Sequence, residues 1–442
     1  MTRRLLLLAL SAALAGAQDI SSKVDEYVKA YVDQNRFMGS VLIAKGGKVL
    51  VDKGYGMANI ELDVPNSPQT KFRLGSITKQ FTATAILQLE EKGKLSVNDA
   101  VSKYFPDSPP AWKAITIHNL LTHTSGIPNY TSFPGFMDKQ ARTPLTVAEL
   151  LGLFKDKPLE FEPGSQMKYS NSGYEVLGYI IEKTSGVSYE EYVKRNIFDR
   201  VDMQDSGYDH DTTIIKHRAA GYSLVNGKLQ NARYLDMSSP YSAGSLYSTV
   251  DDLYRWDRAL YTDKVLSRKS IEKMYTPFKN DYAYGWGVKD GPHKQYAHGG
   301  GIFGFSTFIA RYPADDAFVV VLSNIESAPA GRIAGDLANI LFGEKYELPK
   351  KHTAIQVDPK IFDRYVGKYQ LGPMTLTVAR DGDKLLLSPS GQPTARLFPE
   401  SETEFFVTVV DAQITFVPGE QGPAKELVLH QNGANLTAKR IQ

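Results

Sequence analysis

The segment Thr70-Lys-Phe-Arg-Leu-Gly-Ser-Ile-Thr-Lys-Gln-Phe-Thr-Ala-Thr-Ala-Ile-Leu-Gln-Leu89 organises the whole chain. Phe72-Arg73-Leu74 is strand-like, Gly75 breaks the run, and Ser76 opens a helical stretch, Ile77 to Leu89, that closes near Gly93. The stretch after Ser76 carries a single charge, Lys79, as far as Leu89. A serine at the start of such a buried helix receives backbone N–H groups and the positive end of the helix dipole. Lys79 follows three residues later, on the same helical face, so hydroxyl and amine can meet in one pocket. A lysine there can take the serine proton only if burial or a neighbouring cation lowers its pKa.

The Ser-x-x-Lys spacing alone is weak. It recurs at Ser165/Lys168, in a loop after Pro163-Gly164, and at Ser270/Lys273, which reads as an ordinary helix N-cap. A plain N-cap is the alternative for Ser76 too. Two further features raise the signal. Tyr169-Ser170-Asn171 brings a phenol that could relay a proton and an amide that could hold a carbonyl and the lysine amine. By itself it would be a polar turn. His298-Gly299-Gly300-Gly301, between two strand-like runs, lets a ligand approach the backbone closely, and a peptide N–H on such an edge can receive an oxyanion. By itself it would be a flexible turn. The ordered set is much less expected by chance than any one member.

Around these features, β material lies at both ends of the first ~345 residues. Ser40–Ala44 and Lys48–Asp52 form a hairpin across Gly46-Gly47, after a helix-like stretch at 19–37. Gly285–Val288, Phe305–Tyr312 and Phe318–Ser323 are strand-like, and a helix follows from about Ala330 to Phe342. Residues 95–280 read as mixed helix and loop. The expected architecture is α+β: an antiparallel β-sheet flanked by terminal helices, with an inserted helical lobe. After a polar linker at 346–358 the texture changes. Met374–Ala379, Lys384–Ser388, Phe405–Val409, Gln413–Val417 and Lys425–His430 are short strand-like runs with turns at Asp381-Gly382, Pro418-Gly419 and Asn432-Gly433, which predicts a small all-β sandwich or barrel over 359–442.

Arg3 and Arg4, an apolar run from Leu5 to Leu14, and Ala15-Gly16-Ala17 predict a signal peptide over 1–17, cleaved after Ala17. The mature hydrolase domain would span 18–345, in a secreted or periplasmic protein. The apolar run is too short to span a bilayer comfortably, which takes ~20 residues, so no integral membrane span is expected after cleavage. The 442-residue chain has 51 basic and 49 acidic residues, and losing Arg3 and Arg4 brings these into balance. That disfavours a nucleic-acid partner. With no cysteine, a thiol nucleophile, a Cys-ligated zinc and an iron–sulfur cluster are excluded. There is no His-Glu-x-x-His, no Gly-x-Ser-x-Gly elbow and no phosphate-cradling Gly-x-x-x-x-Gly-Lys-Ser/Thr run. His118 reads as a helix-start residue and His123 as a buried hydrogen-bonding one. No metal or cofactor is expected, and the oligomeric state stays open.

Thr70–Phe81, Leu120-Leu-Thr-His-Thr-Ser-Gly-Ile-Pro128 and Tyr169-Ser-Asn171 together resemble the motifs of the serine β-lactamase and penicillin-binding protein superfamily. The likeness spans about residues 20–345 and is near class C β-lactamases, DD-carboxypeptidases, D-aminopeptidases and related esterases. It implies a β-lactamase/transpeptidase-like fold and an acyl-enzyme mechanism. Ser76 would be the nucleophile, Lys79 its activating partner and Tyr169 the general base and acid. Asn171, His298 and Gly300 would contact substrate, and the N–H groups of Ser76 and Gly301 would form the oxyanion hole. The third motif departs from the class C pattern Lys-Thr-Gly, which removes a hydroxyl and a permanent charge. The resemblance therefore points first to a D-residue peptidase or DD-carboxypeptidase-like enzyme acting on a small peptide, amide or ester. An esterase comes next and a dedicated β-lactamase third; a non-catalytic cell-wall-binding sensor is the rival of another class. The tail is similar to lipocalin-like barrels appended to some such hydrolases.

Overall fold

The computed structural model describes residues 18–225, 227–391, 394–407, 412–419, 422–431 and 434–442. The expected signal peptide therefore lies outside the described residues, as do Asn432-Gly433 and the end of the Phe405–Val409 run. The chain divides into two compact units. One comprises residues up to Ser223 with Gln230–Glu347, and the other Leu224–Leu229 with Leu348–Gln442.

In the first unit, six antiparallel strands form the main sheet: β1 (Gly39–Lys45), β2 (Lys48–Tyr55), β3 (Gly287–Lys289), β4 (Gln295–Ile302), β5 (Phe305–Tyr312) and β6 (Ala317–Ser323). Their spatial order is β3-β4-β5-β6-β1-β2. The early hairpin thus joins the late strands through β1 and β6, with Gly39 opposite Ser323 and Lys45 opposite Ala317. β6 reads Ala-Phe-Val-Val-Val-Leu-Ser and is buried throughout, as a continuous apolar strand covered on both faces must be. Helix α1 (18–32) and a late helix, Ala330–Phe342, meet through the Tyr27 hydroxyl, which donates to Asp336 at 2.5 Å.

The inserted lobe is built on α2 (Thr78–Glu91), α3 (Ile117–Leu121) and α4 (Asn171–Ser185). Every side chain of α2 from Thr78 to Leu89 is buried, which makes it the central helix of the lobe. A three-stranded sheet lies here, of which only Phe72–Arg73 had a sequence signal. Phe72–Arg73 pairs with Leu246–Ser248, which also pairs with Gly207–Tyr208. Strands of two or three residues leave no detectable alternation.

The second unit is a closed antiparallel barrel of eight strands, β7 (Gly367–Leu371), β8 (Met374–Asp381), β9 (Lys384–Pro389), β10 (Ala395–Pro399), β11 (Glu404–Val407), β12 (Ala412–Val417), β13 (Glu426–Gln431) and β14 (Ala434–Arg440). Closure comes from Tyr369 opposite Arg440. Ala412–Val417 alternates buried and half-buried positions, as a strand with one inward face should. Tyr365, stacked on Phe416 at 4.2 Å, Tyr369 and Phe405 fill the interior. Five of the eight strands have a sequence signal. Part of the expected linker belongs to this unit: Ile355 N–H donates to Pro399 O at 2.9 Å, and His352 Nδ1 lies 2.9 Å from Glu400.

Candidate active site

Three restraints place Ser76. The strand before it is held in the small sheet, where Leu74 N–H donates to Leu246 O at 2.8 Å. Arg73 Nε lies 2.7 Å from the fully buried carboxylate of Asp209, which also takes Arg218 at 2.6 Å. From the other side, the Thr307 hydroxyl of β5 donates to Leu74 O at 2.8 Å. Between these anchors Gly75 turns with φ +55°, a value that favours glycine, and Gly75–Ile77 forms a single 3-10 turn leading into α2. Ser76 therefore sits inside the turn rather than capping the helix.

Lys79 follows on the first turn of α2 and is fully buried. Its Nζ lies 3.1 Å from Ser76 Oγ, 2.8 Å from Asn171 Oδ1 and 2.9 Å from Ala243 O. Burial pushes the amine down to about 7, against an upward pull from Glu175. Asn171, the first residue of α4, is itself fixed. Its N–H donates to Asn129 Oδ1 at 3.0 Å and its Nδ2 to Thr131 Oγ1 at 3.2 Å.

Tyr169 comes from the loop before α4; its ring centroid lies 5.0 Å from Lys79 Nζ, and it lines the same cavity as Ser76. Burial holds its phenol above the ordinary value. His123 positions this loop: its ring packs 4.2 Å from that of Tyr169, its carbonyl accepts from Lys168 N–H at 2.9 Å, and its Nδ1 accepts from Ser170 N–H at 3.2 Å. His118 instead sits on α3, 2.7 Å from the Tyr284 hydroxyl. Ser76, Lys79, Tyr169 and Asn171 thus converge, although nearly a hundred residues separate the two pairs.

The glycine motif lies within strand β4, not in a turn. β3 pairs with β4 only over Gln295–Ala297, so the outer edge beyond it faces the Ser76 turn. Gly301 backs onto Gly75: a Cβ on Gly75 would come 3.0 Å from Gly301 N. A cavity of about 380 Å³ opens here, lined among others by Ser76, Tyr169, Asn171, Gly301 and the apolar Phe136, Met137, Leu235, Ile302 and Phe303. No lining residue is charged.

His298 and Gly300, expected to contact substrate, are not on that wall. His298 is buried; its Nδ1 faces the Gly299 carbonyl at 2.6 Å and its Nε2 the Tyr282 hydroxyl at 2.9 Å. A carbonyl only accepts, so Nδ1 carries the hydrogen and Nε2 accepts from Tyr282. Burial and Lys79 push this histidine down to about 4, which leaves it neutral. Gly300 packs against the Leu74 carbonyl. Both act behind the site, and the sequence could not separate a wall from what supports it.

Residues 24–342 match the family model for beta-lactamase. The chain belongs to the beta-lactamase family. It is a serine hydrolase of the β-lactamase and penicillin-binding protein superfamily. Residues 351–440, the barrel, match a second model described as a domain of unknown function (DUF3471). Penicillin-binding protein 4* of Bacillus subtilis is 33% identical over 93% of this family member and 96% of its own length. Among solved structures, an octameric penicillin-binding protein homologue from Pyrococcus abyssi is 29% identical, with a TM-score of 0.67 over 95% of this chain and 99% of that one. A penicillin-binding protein from Bacillus halodurans is 31% identical, with a TM-score of 0.64 over 72% and 99%.

One buried residue of the site carried no sequence signal. Glu175 lies one turn into α4, accepts from Ser242 N–H at 3.1 Å, and stands 2.8 Å from the Tyr130 hydroxyl.

Proposed function

We propose that the protein hydrolyses peptide or amide bonds beside a D-residue through an acyl-enzyme on Ser76, as a D-residue peptidase or DD-carboxypeptidase-like enzyme exported after cleavage at Ala17. The observation that carries the mechanism is the contact between Ser76 Oγ and a fully buried Lys79 amine pushed down to about 7. Lys79 takes the Ser76 proton as Oγ bonds to the substrate carbonyl carbon. The phenol of Tyr169 stays protonated, so it serves as the relay that delivers a proton to the leaving nitrogen. The N–H groups of Ser76 and Gly301 receive the oxyanion. Water then displaces the acyl group by the reverse path.

An esterase is the second reading. The uncharged cavity wall favours it, since no lining side chain offers a cation to a terminal carboxylate. The test is a comparison of kcat/KM for D- and L-amino-acid amides, peptides ending in D-Ala-D-Ala, short-chain esters and nitrocefin. Highest values on D-configured amides or peptides are expected. Highest values on esters with no stereochemical preference select the second reading. Ser76→Ala should abolish turnover on every substrate, and retained activity overturns the mechanism. A secreted product whose N-terminus is Gln18 is expected, and an uncleaved chain refutes the export reading.

A further inference from the structure

Glu175 has no place in the mechanism above, yet its carboxyl is fully buried and near enough to the catalytic lysine for each to pull on the other's charge. Counting hydrogens shows what it does. Tyr130 Oη stands 2.7 Å from Ser239 O and 2.8 Å from Glu175 Oε1, and a phenol has one hydrogen to give. The Ser239 carbonyl can only accept. If Tyr130 serves it, the contact with Oε1 is a hydrogen bond only when the carboxyl is protonated and donates. Oε2 accepts from Ser242 N–H at 3.1 Å, while the Ser242 hydroxyl has a closer acceptor, Tyr174 O at 2.9 Å, than Oε2 at 3.3 Å. A neutral carboxylic acid satisfies every member of this set.

The count at Lys79 is met in either charge state, because an ammonium has three hydrogens for its three neighbours. Ala243 O and Asn171 Oδ1 accept only, whereas Ser76 Oγ can donate. A neutral amine gives two hydrogens to the first two and turns its lone pair to Ser76. The two groups grip opposite sides of one helical turn, Tyr241–Gly244: Glu175 holds Ser242 N–H and Lys79 holds Ala243 O.

We propose that Glu175 is a positioning residue that shares one proton with Lys79, so that the pair passes between ammonium–carboxylate and amine–carboxylic acid and thereby sets how much of the enzyme is ready to activate Ser76. This rests on Lys79 being the acceptor of the Ser76 proton. Burial drives both groups toward neutrality, with Glu175 pushed up to about 7 and Lys79 down to about 7, and each pulls the other back toward its charged form. The other titratable groups facing the pair are the phenols of Tyr130, Tyr169, Tyr174, Tyr189, Tyr208 and Tyr241, all shifted up, and the imidazoles of His123 and His298, both shifted down. These stay uncharged where the pair titrates.

The test is the pH profile of kcat/KM on p-nitrophenyl acetate for the full chain and for Glu175→Gln, which keeps the shape but cannot ionise. Without the anion that stabilises the ammonium, the acidic limb should move to lower pH by on the order of one unit. A folded, active variant whose limb stays in place, or moves to higher pH, overturns the proposal. If Glu175→Gln does not fold, an infrared measurement on the otherwise unaltered pair tests the proposal without it. An infrared carboxylic-acid band that fades as pH rises through neutrality should appear in an Asp52→Asn background, which removes a second carboxyl that burial pushes up to about 7. Its absence also overturns the proposal. Persistent turnover in Ser76→Ala would instead sink the acyl-enzyme reading, so the two failures are distinguishable.

Discussion

Gly300 packs so closely on Leu74 that a Cβ at position 300 would lie 1.9 Å from the Leu74 carbonyl oxygen and 2.3 Å from Thr307 Oγ1. The same carbonyl accepts the Thr307 hydroxyl at 2.8 Å. The glycine-rich strand therefore fixes the distance between the sheet edge and the turn that carries Ser76. Its lack of side chains serves the backbone contact first.

Gly300→Ala follows directly. The obstructing atom is backbone, so strand or turn must move, at a cost of about 1–3 kcal/mol. Displacing Ser76 from its partners by ~1 Å should lower kcat/KM roughly a hundredfold. Thermal unfolding and kinetics of the purified variant measure both. Near-normal kcat/KM would show that the Leu74 contact does not position Ser76.

Much of this was legible beforehand, for reasons tied to particular residues. Gly46-Gly47 marked the hairpin, and a helical stretch from Ile77 to Leu89 with Lys79 as its one charge marked a buried helix. The Ser76, Lys79, Tyr169 and Asn171 grouping was readable because it consists of ordered motifs. His298-Gly299-Gly300-Gly301 lies on a strand edge as expected; a turn was the alternative because glycine weakens any strand signal, and here the close approach to Leu74 selects it. Glu175 escaped notice because a carboxylate within Gly173-Tyr-Glu-Val176 resembles the wet face of an amphipathic helix. It is buried by Tyr130 and Ser242, 45 and 67 residues away in sequence.

Lys79 must be neutral to accept a proton, and burial pushes it down to about 7. Activity should therefore be low in acid and rise through about pH 7. Tyr169, shifted up, and His298, pushed down to about 4, do not ionise in that interval and cannot supply the limb. Lys79→Ala should lower kcat ~10³-fold or more. A pH–rate profile flat through neutrality would contradict this assignment of the base.

Asp52 on β2 faces Asp251, and one of its oxygens is buried without a hydrogen-bond partner. Burial first, and then the Asp251 charge, push Asp52 up to about 7. A carboxyl raised in the folded state binds more protons there than in the unfolded chain. Its contribution is thus favourable in acid and is lost as pH rises from the ordinary carboxylate range through about 7. Asp52→Asn removes that loss. Its unfolding temperature should match the parent in mild acid and exceed it progressively as pH rises. An advantage that stays constant or shrinks with pH would show that Asp52 is not held protonated.

Asp257 anchors the charges behind the sheet. Its Oδ1 lies 2.8 Å from Arg311 Nε, with both side chains buried, and its Oδ2 lies 2.6 Å from Arg258 Nη2. Removing one partner of a buried pair strands the other, typically at about 3–5 kcal/mol. The two partners are not equivalent here. Asp257→Asn leaves the buried Arg311 guanidinium without its counter-charge, while Arg258 keeps Asp316. Arg311→Met leaves Asp257 still paired with Arg258 and replaces the guanidinium by an apolar chain of similar length. Asp257→Asn should therefore be the more destabilising of the two, by more than about 1 kcal/mol in denaturant unfolding. Equal losses would mean that Arg258 offers Asp257 no useful compensation and that the buried pair acts alone.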